Sequence, residues 1–209
     1  MRKPDEIFRP IIFLKREKMN CSKLTQKLQA VNCNKPAIAG TGARVILVNY
    51  SDIDRDLSKI DGNVITDIVL KNNANGCEYE SIQNSTTGEY SLNKGTYFSN
   101  WQHDLTLRIF AKSEGSKAFV NNLNGTLVVA VVENKEPGEE GDVKYEAYGW
   151  DSGLELNEGT ASTDMADLVV YTLKIGSGSN SKESSLPKSV FKEDLAKTKT
   201  MLDSLVPAS

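Results

Sequence analysis

Short apolar segments, separated by residues typical of turns, follow one another along most of the chain from residue 43 onwards. Some of these segments are apolar throughout and rich in β-branched residues, which favours buried strands, while others alternate apolar with polar residues, as strands with one buried face do. The predicted strands cover residues 43–50, 63–70, 78–82, 89–92, 104–112, 126–133, 143–148 and 168–175. The most apolar of them, 126–133, is expected to be central. The Asp61-Gly62 turn dipeptide favours pairing of 63–70 with 43–50.

Helical periodicity is found in only three places. Ser22 and Ser113 are suitable N-caps for helices over 23–30 and 113–123, and Gly125 lies just beyond the second helix, as a C-terminal stop does. A third, amphipathic helix is predicted over 189–205, after Pro187. Because strands and helices do not alternate regularly, a Rossmann-type sheet is not expected.

Residues 71–100 differ from the rest of the chain. They are polar and rich in Asn, Ser, Thr and Gly, with isolated apolar residues between them. We interpret the segment as an excursion from the body, in which strands 78–82 and 89–92 form an extended hairpin joined through 84–88. The Gly/Ser-rich residues 176–185 are typical of a flexible linker.

These elements predict a mainly β fold, an antiparallel β-barrel or β-sandwich with a mid-chain helix and terminal helices. The predicted organisation is an N-terminal arm over 1–18, a barrel or sandwich domain over 19–176 that contains the excursion 71–100, and a linker with a C-terminal helix over 177–209. The length of 209 residues suits one such domain with appended segments.

Charge is unevenly distributed. The formal net charge is −3, which argues against a dedicated nucleic-acid-binding protein. Residues 1–18 hold six basic and three acidic side chains, so that the arm is +3 and residues 19–209 are −6. Either translation begins at Met19 and the arm is not made, or the arm is a basic segment that docks on an acidic neighbour. No apolar run approaches the roughly 20 residues that span a bilayer.

Residues suited to catalysis or metal binding are sparse. The only histidine, His103, has no nucleophile motif to accompany it and is expected to be a structural residue at a strand start. The odd number of cysteines, Cys21, Cys33 and Cys77, favours reduced structural thiols, with one disulfide or a redox role as the alternative. We therefore predict no enzymatic activity, no cofactor and no metal site.

Acidic residues gather in two turns. Asp52, Asp54 and Asp56 resemble half of a calcium loop, but the Gly and Glu that such a loop requires at its sixth and twelfth positions are replaced by Leu57 and Asn63. We interpret this segment as a solvated turn. The acidic residues of 133–142 are expected to form a solvated hairpin tip or an electrostatic surface for a partner.

A family resemblance is found around residues 126–154. An apolar strand ending in VVE (131–133), an acidic turn, the strand VKYEAYGW (143–150) and the step DSGL (151–154) resemble tail tube (major tail) proteins of tailed bacteriophages, especially those in Bacteroidetes genomes. The segments ARVILVNYSDID, GNVITDIVL and YTLKI fit the same pattern. The resemblance spans roughly 19–190 and rests on strand order and phrases, with no catalytic signature.

The resemblance implies a structural protein of the virion tail, made in the cytoplasm of the bacterial host. Such subunits are similar to the needle-tube subunits of type VI secretion; they close into six-membered rings, and the rings stack into a tube for genome passage. The implied partners are copies of the chain and other phage tail proteins, with DNA only as transient, non-specific cargo and no membrane span. Contacts between rings are expected at the excursion and at the termini. The candidate contact residues are Phe8, Phe13, Tyr79, Ile82, Tyr90, Tyr97, Phe98, Trp101, Phe191 and Leu195.

Two other functions remain open at this point. A tail terminator, connector or baseplate ring protein would have the same fold and ring symmetry but would not polymerise. A monomeric β-sandwich binding module, for example for a carbohydrate, would use exposed aromatic residues on one face, and five aromatic residues lie in or beside the excursion.

Overall fold

The computed structural model describes residues 40–72, 74–82, 85–96, 98–138, 140–163, 170–179 and 182–207. The arm 1–18 and the predicted helix 23–30 lie outside these ranges. The described elements are β1 (Thr41–Asn49), β2 (Lys59–Asp61), β3 (Val64–Asp67), β4 (Cys77–Glu80), β5 (Thr87–Lys94), β6 (Ser99–Ile109), α1 (Glu114–Leu123), β7 (Val128–Asn134), β8 (Tyr145–Tyr148), β9 (Leu154–Ala161), β10 (Tyr171–Ser177), β11 (Lys188–Val190) and α2 (Leu195–Asp203).

The strands form a β-sandwich, which confirms the predicted fold class. Layer A has the strand order β4-β1-β7-β8-β11-β3-β2, and layer B has the order β9-β10-β6-β5. A single pair, Val128 with Leu154, joins the two layers. Neighbouring strands are antiparallel except β11 and β3, which are parallel. The sheet does not close into a barrel, because β2 and β5 lie at opposite ends of the strand path.

Two apolar cores lie on opposite faces of layer A. Alternate side chains of β1 and β7, such as Val45 and Val132, point toward layer B and pack with Leu107 and Leu173. The intervening side chains point the other way, where the residues of the second core include Ile46, Val131, Met201 and Leu202. Residues 45–48 of β1 and 128–132 of β7 are therefore buried on both faces, which explains why these two stretches are apolar throughout.

The predicted pairing of 63–70 with 43–50 is wrong. The two edges of β1 are occupied by β4 and β7, so that no edge is free for β3. β3 instead pairs with β2, through a turn at Gly62, and with β11. A turn is present at Asp61-Gly62 as predicted, but it joins β3 to β2, the short strand that precedes it.

The predicted hairpin of 78–82 with 89–92 is also wrong. β4 pairs with β1 in layer A, whereas β5 pairs with β6 in layer B, so the two strands belong to different layers. The hairpin within this region is β5–β6, with its turn between Lys94 and Ser99.

The C-terminal region contains more regular structure than the sequence predicts. β9 occupies a segment between the predicted strands 143–148 and 168–175, where no strand is predicted. The final helix begins at Leu195, where the Asp194 side chain accepts a hydrogen bond from the Lys197 amide, and β11 precedes it. α1 agrees with the prediction, since Ser113 caps it with a bond from the Ser116 amide at 3.0 Å. No helix in the described ranges is long and apolar enough to cross a membrane.

Candidate assembly surface

The β5–β6 hairpin extends beyond the body of layer B. β10 pairs with β6 only from Asp104 to Ile109, whereas β5 pairs with β6 as far as Ser99. Residues 99–103 therefore continue past the last rung of β10, a distance of about 16 Å at strand geometry. The hairpin is a projection that is anchored at its inner part, because Glu183 pairs with Trp101 on the edge that β10 leaves and His103 is buried in the body.

The core-facing side of β6 continues onto this projection. Leu105 and Leu107 point into the core, and because side chains alternate, Trp101 lies on the same face of the strand. Its cross-strand partner is Leu92, and Tyr90 lies two residues before Leu92. Tyr90 is 50% exposed and Leu92 is 44% exposed. We call Tyr90, Leu92 and Trp101 the hairpin strip; its two aromatic rings meet edge to face at 6.5 Å.

The outer edge of the hairpin is open. β5 is the last strand of layer B, and no strand in the described part of the chain pairs with its outer side. All but one of its residues are exposed. Phe98, in the turn, is 78% exposed, the highest value among the large apolar residues described. An eight-residue open edge with exposed aromatic side chains is a surface suited to pairing with another chain.

A glycine allows the hairpin to lie against the body. A Cβ at Gly88 of β5 would be 2.5 Å from the hydroxyl oxygen of Tyr148 and 2.9 Å from its Cζ. Tyr148 is buried, so its ring cannot easily move aside. The base of β5 therefore requires a residue without a side chain at this position.

A short segment, residues 182–186, ties the hairpin to the body, and we call it the strap. Glu183 exchanges two backbone hydrogen bonds with Trp101, at 2.8 and 2.9 Å. Its buried carboxylate accepts bonds from the Asp151 amide at 2.8 Å, the Ser152 amide at 2.9 Å and the Ser152 hydroxyl at 2.7 Å. Three donors compensate for the desolvation of this charge. The expected linker 176–185 thus contains a buried residue that connects two elements.

His103 lies beneath the strap and is 1% exposed. Its Nδ1 accepts a bond from the Gly149 amide at 3.2 Å, and its Nε2 lies 3.0 Å from the Ser185 carbonyl oxygen. Since a carbonyl oxygen can only accept, Nε2 bears the proton and the ring is neutral. Burial lowers the pKa of His103, against the charges of Glu183 and Asp151. The predicted position at a strand start is wrong, because His103 is the fifth residue of β6, but its hydrogen bonds within the subunit are those of a structural residue.

Asp151 provides a second connection from the β8–β9 turn. Its carboxylate accepts hydrogen bonds from the Ser184 hydroxyl and amide, and lies 3.5 Å from the Lys188 ammonium. Burial alone would raise the pKa of Asp151, but the bonds from Ser184 and the charge of Lys188 outweigh burial and lower it. The strap is therefore held by charged and neutral hydrogen bonds together.

The ten candidate contact residues do not form one group. Phe8, Phe13 and Tyr97 lie outside the described residues. Ile82, Tyr90, Phe98 and Leu195 are exposed by 58, 50, 78 and 38%, whereas Trp101 and Phe191 are partly buried. Tyr79 is half-buried, stacks on Phe119 at 6.5 Å and donates its hydroxyl to the Arg108 carbonyl, so its ring packs within the subunit.

Sequence reasoning did not select Leu92 or Glu183. The alternation of Tyr90 and Leu92 was a signal for the first, because residues two apart share a face of a strand. Nothing in the Gly/Ser-rich segment 176–185 indicates that its single glutamate is buried.

The remaining candidate chemistry is limited. The Asp54 carboxylate accepts hydrogen bonds from the Asp56 and Leu57 amides, both at 3.1 Å, so it stabilises its own turn. No group of three acidic, histidine or cysteine side chains in the described ranges could hold a metal ion. Cys77 is an exposed free thiol, and the other two cysteines lie outside the described residues.

Comparison of the chain with protein-family models, with curated proteins and with solved structures gives no match.

Proposed function

We propose that the chain is a structural subunit of a bacteriophage tail tube, which assembles with its own copies into rings that stack for genome passage. The observation that supports this most is the β5–β6 hairpin, with its open edge and exposed apolar strip. The ring number of six, the location in the virion tail and the contact with other tail proteins rest on the sequence resemblance.

The hairpin is costly for a protein that stays monomeric. An open edge strand invites uncontrolled pairing, and natural monomers usually shorten, charge or cover such edges. Here the edge is eight residues long, and although it carries Glu89 and Lys94, it also exposes Tyr90 and Leu92, with Phe98 in the adjoining turn. Assembly with a neighbouring copy would cover both the edge and the strip.

The hairpin is also anchored in a way that favours assembly. The strap, Gly88 and the shared strand β6 fix its base against the body. A projection held in one orientation loses less conformational entropy on binding than a mobile loop does, which strengthens association. Head-to-tail contacts between such subunits close into rings when the rotation allows it.

The charge of the subunit suits DNA as passing cargo. A lumen that bound phosphate strongly would retain the genome. Each copy adds a formal charge of −3, so a ring of any size is net acidic. This agrees with contact that is transient and non-specific.

Two alternatives predict different particles. A terminator, connector or baseplate protein would form rings that do not stack. A monomeric binding module is favoured by one observation, the adjacent rings of Tyr90 and Trp101 at 6.5 Å, which could receive a sugar face.

The test is negative-stain electron microscopy with mass photometry over a concentration series, with and without residues 1–18. The proposal expects rings and stacked rings for the wild-type chain. The double variant Tyr90→Ser/Leu92→Ser should raise the concentration needed for assembly at least tenfold. Leu57→Ser, which changes a 59% exposed leucine outside the hairpin, should leave it unchanged.

Other outcomes separate the alternatives. Rings that never stack would indicate a terminator or connector. Monomers at every concentration would contradict self-assembly, and a glycan titration abolished by Trp101→Ala would then support the binding module.

A further inference from the structure

We propose that the strap and His103 form a pH-sensitive latch, which fixes the hairpin to the body at neutral pH and releases it in mild acid. The latch is a property of the single subunit and does not depend on the proposed assembly. Its parts are the imidazole, the β8–β9 turn over 149–153 and the strap over 182–186.

The hydrogen bonds of His103 allow only one protonation state. Nδ1 must remain without a proton to accept from the Gly149 amide, and Nε2 must bear a proton to donate to the Ser185 carbonyl. A second proton on Nδ1 would place two N–H groups against each other at 3.2 Å. The Gly149 bond must then break, and a charge is left in a nearly dry site.

The groups around the imidazole come from every neighbouring element. Tyr90 of β5 is its cross-strand partner, and Tyr148 of β8 packs edge to face on it at 5.7 Å. Asp151 of the turn and Glu183 of the strap favour the added proton, whereas Lys188 of β11 opposes it. Burial opposes it most, so the pKa of His103 lies below its ordinary value of 6.5.

The direction of the pH effect follows. The released state, with a solvated imidazole, takes up a proton near pH 6.5, whereas the latched state does not. The latch is therefore at full strength above pH 6.5 and weakens as the pH falls toward the lower pKa of the latched state. Between these two pKa values the latch equilibrium should shift about tenfold for each pH unit.

The connection from the imidazole to the hairpin is short. Gly149 is the first residue of the β8–β9 turn, and the amides two and three residues further on, of Asp151 and Ser152, hold the Glu183 carboxylate. Glu183 in turn holds the backbone of Trp101. Displacing Gly149 thus loosens the bonds that fix the projecting half of β6, while rungs 104–109 stay paired with β10.

The chain is well suited to a direct test, because it has one histidine and two tryptophans. The tautomer and pKa of His103 are measured from the NMR signals of the only imidazole, on dilute full-length protein. The indole N–H NMR signal of Trp101, recorded on the wild-type chain, reports on the hairpin. Hydrogen exchange of residues 87–103, corrected for the intrinsic pH dependence, reports the release.

The latch predicts an Nε2–H tautomer at pH 8 and one midpoint, below 6.5, shared by the imidazole, the Trp101 indole signal and the exchange of the hairpin. His103→Gln keeps a donor for Ser185 but cannot titrate, so its exchange should be independent of pH between 7.5 and 5.5. Glu183→Gln should exchange faster than wild type at pH 7.5 and still respond to acid.

The proposal is overturned by an Nδ1–H tautomer, by hairpin exchange that stays constant while the imidazole titrates, or by an unchanged response in His103→Gln. If a variant fails to fold, the comparison of the three wild-type midpoints still decides. Since every measurement is made on monomers, failure of the latch and failure of assembly are distinguishable.

Discussion

The contact between Gly88 and Tyr148 gives a sharp test of how the hairpin is seated. Replacing Gly88 by Ala would put a methyl group 2.5 Å from the buried hydroxyl oxygen, well inside van der Waals contact. Overpacking of this kind costs about 1–3 kcal/mol. Because an unfolded chain has less conformational entropy with Ala than with Gly, the same substitution stabilises the folded state by about 0.4–1 kcal/mol. The central values of these ranges give a net loss of about 1.3 kcal/mol, with about 2.6 kcal/mol as the upper end.

Gly159→Ala is the matched control. Gly159 is also a strand residue, in β9, and a Cβ there would lie 3.6 Å from Leu173, an ordinary contact. Because only the unfolded-state term remains, this variant should be neutral or more stable by up to about 1 kcal/mol. Both free energies of unfolding are measured by urea titration, with tryptophan fluorescence as the signal.

Tyr148→Phe completes a double-mutant cycle. It removes the oxygen at 2.5 Å but leaves the ring carbon at 2.9 Å, so part of the clash should persist. We expect Gly88→Ala to cost at least about 0.5 kcal/mol less when it is combined with Tyr148→Phe, a coupling typical of residues in contact. Equal stability of the two alanine variants, or no coupling with residue 148, would refute the close approach of β5 to β8.

Three further predictions concern α2 and the turn beside the strap. Leu202→Ala should lower the free energy of unfolding, measured by urea titration, by about 2–5 kcal/mol, because it opens a cavity in a fully buried site. Leu195→Ala is the control, because Leu195 is 38% exposed and the free energy of unfolding should change little. Asp194→Ala removes the α2 cap and should cost about 1 kcal/mol, measured in the same way. Because hydrogen bonds from Ser184 outweigh burial and lower the pKa of Asp151, its contribution to stability is present above pH 3.8 and is lost as the pH falls through the lower folded value. Asp151→Asn should therefore be less stable than wild type at pH 7, with a difference that narrows in urea titrations toward pH 3.

Local signals in the sequence predicted the local structure well. The apolar run of β7 and the cap of α1 are properties of neighbouring residues, and both are confirmed. Pairing partners depend on which strand edges are free, and this is decided by the whole sheet. The prediction for β3 is wrong for that reason, because β4 and β7 already occupy the edges of β1.

The candidate surface could be predicted only in part. Exposed aromatic residues in a polar segment pointed to Tyr90 and Phe98. The strap could not be found in this way, because Gly/Ser-rich composition indicates flexibility, whereas the fixed position of Glu183 comes from donors 31 and 32 residues away. Tyr79 was selected for the same composition, yet its ring packs within the subunit because β4 lies along β1.

The two-faced burial of β1 and β7 has a consequence for how the molecule unfolds. Each strand belongs to both cores, so neither core can open without exposing apolar surface of the other. We expect one cooperative unit, in which the C-terminal helix, though last in the chain, reports the same transition as layer B. Loss of α2 by proteolysis or truncation would then remove the stability of the whole sandwich, including the hairpin on its far layer. For an assembly built from many copies, such coupling means that a damaged subunit fails as a whole.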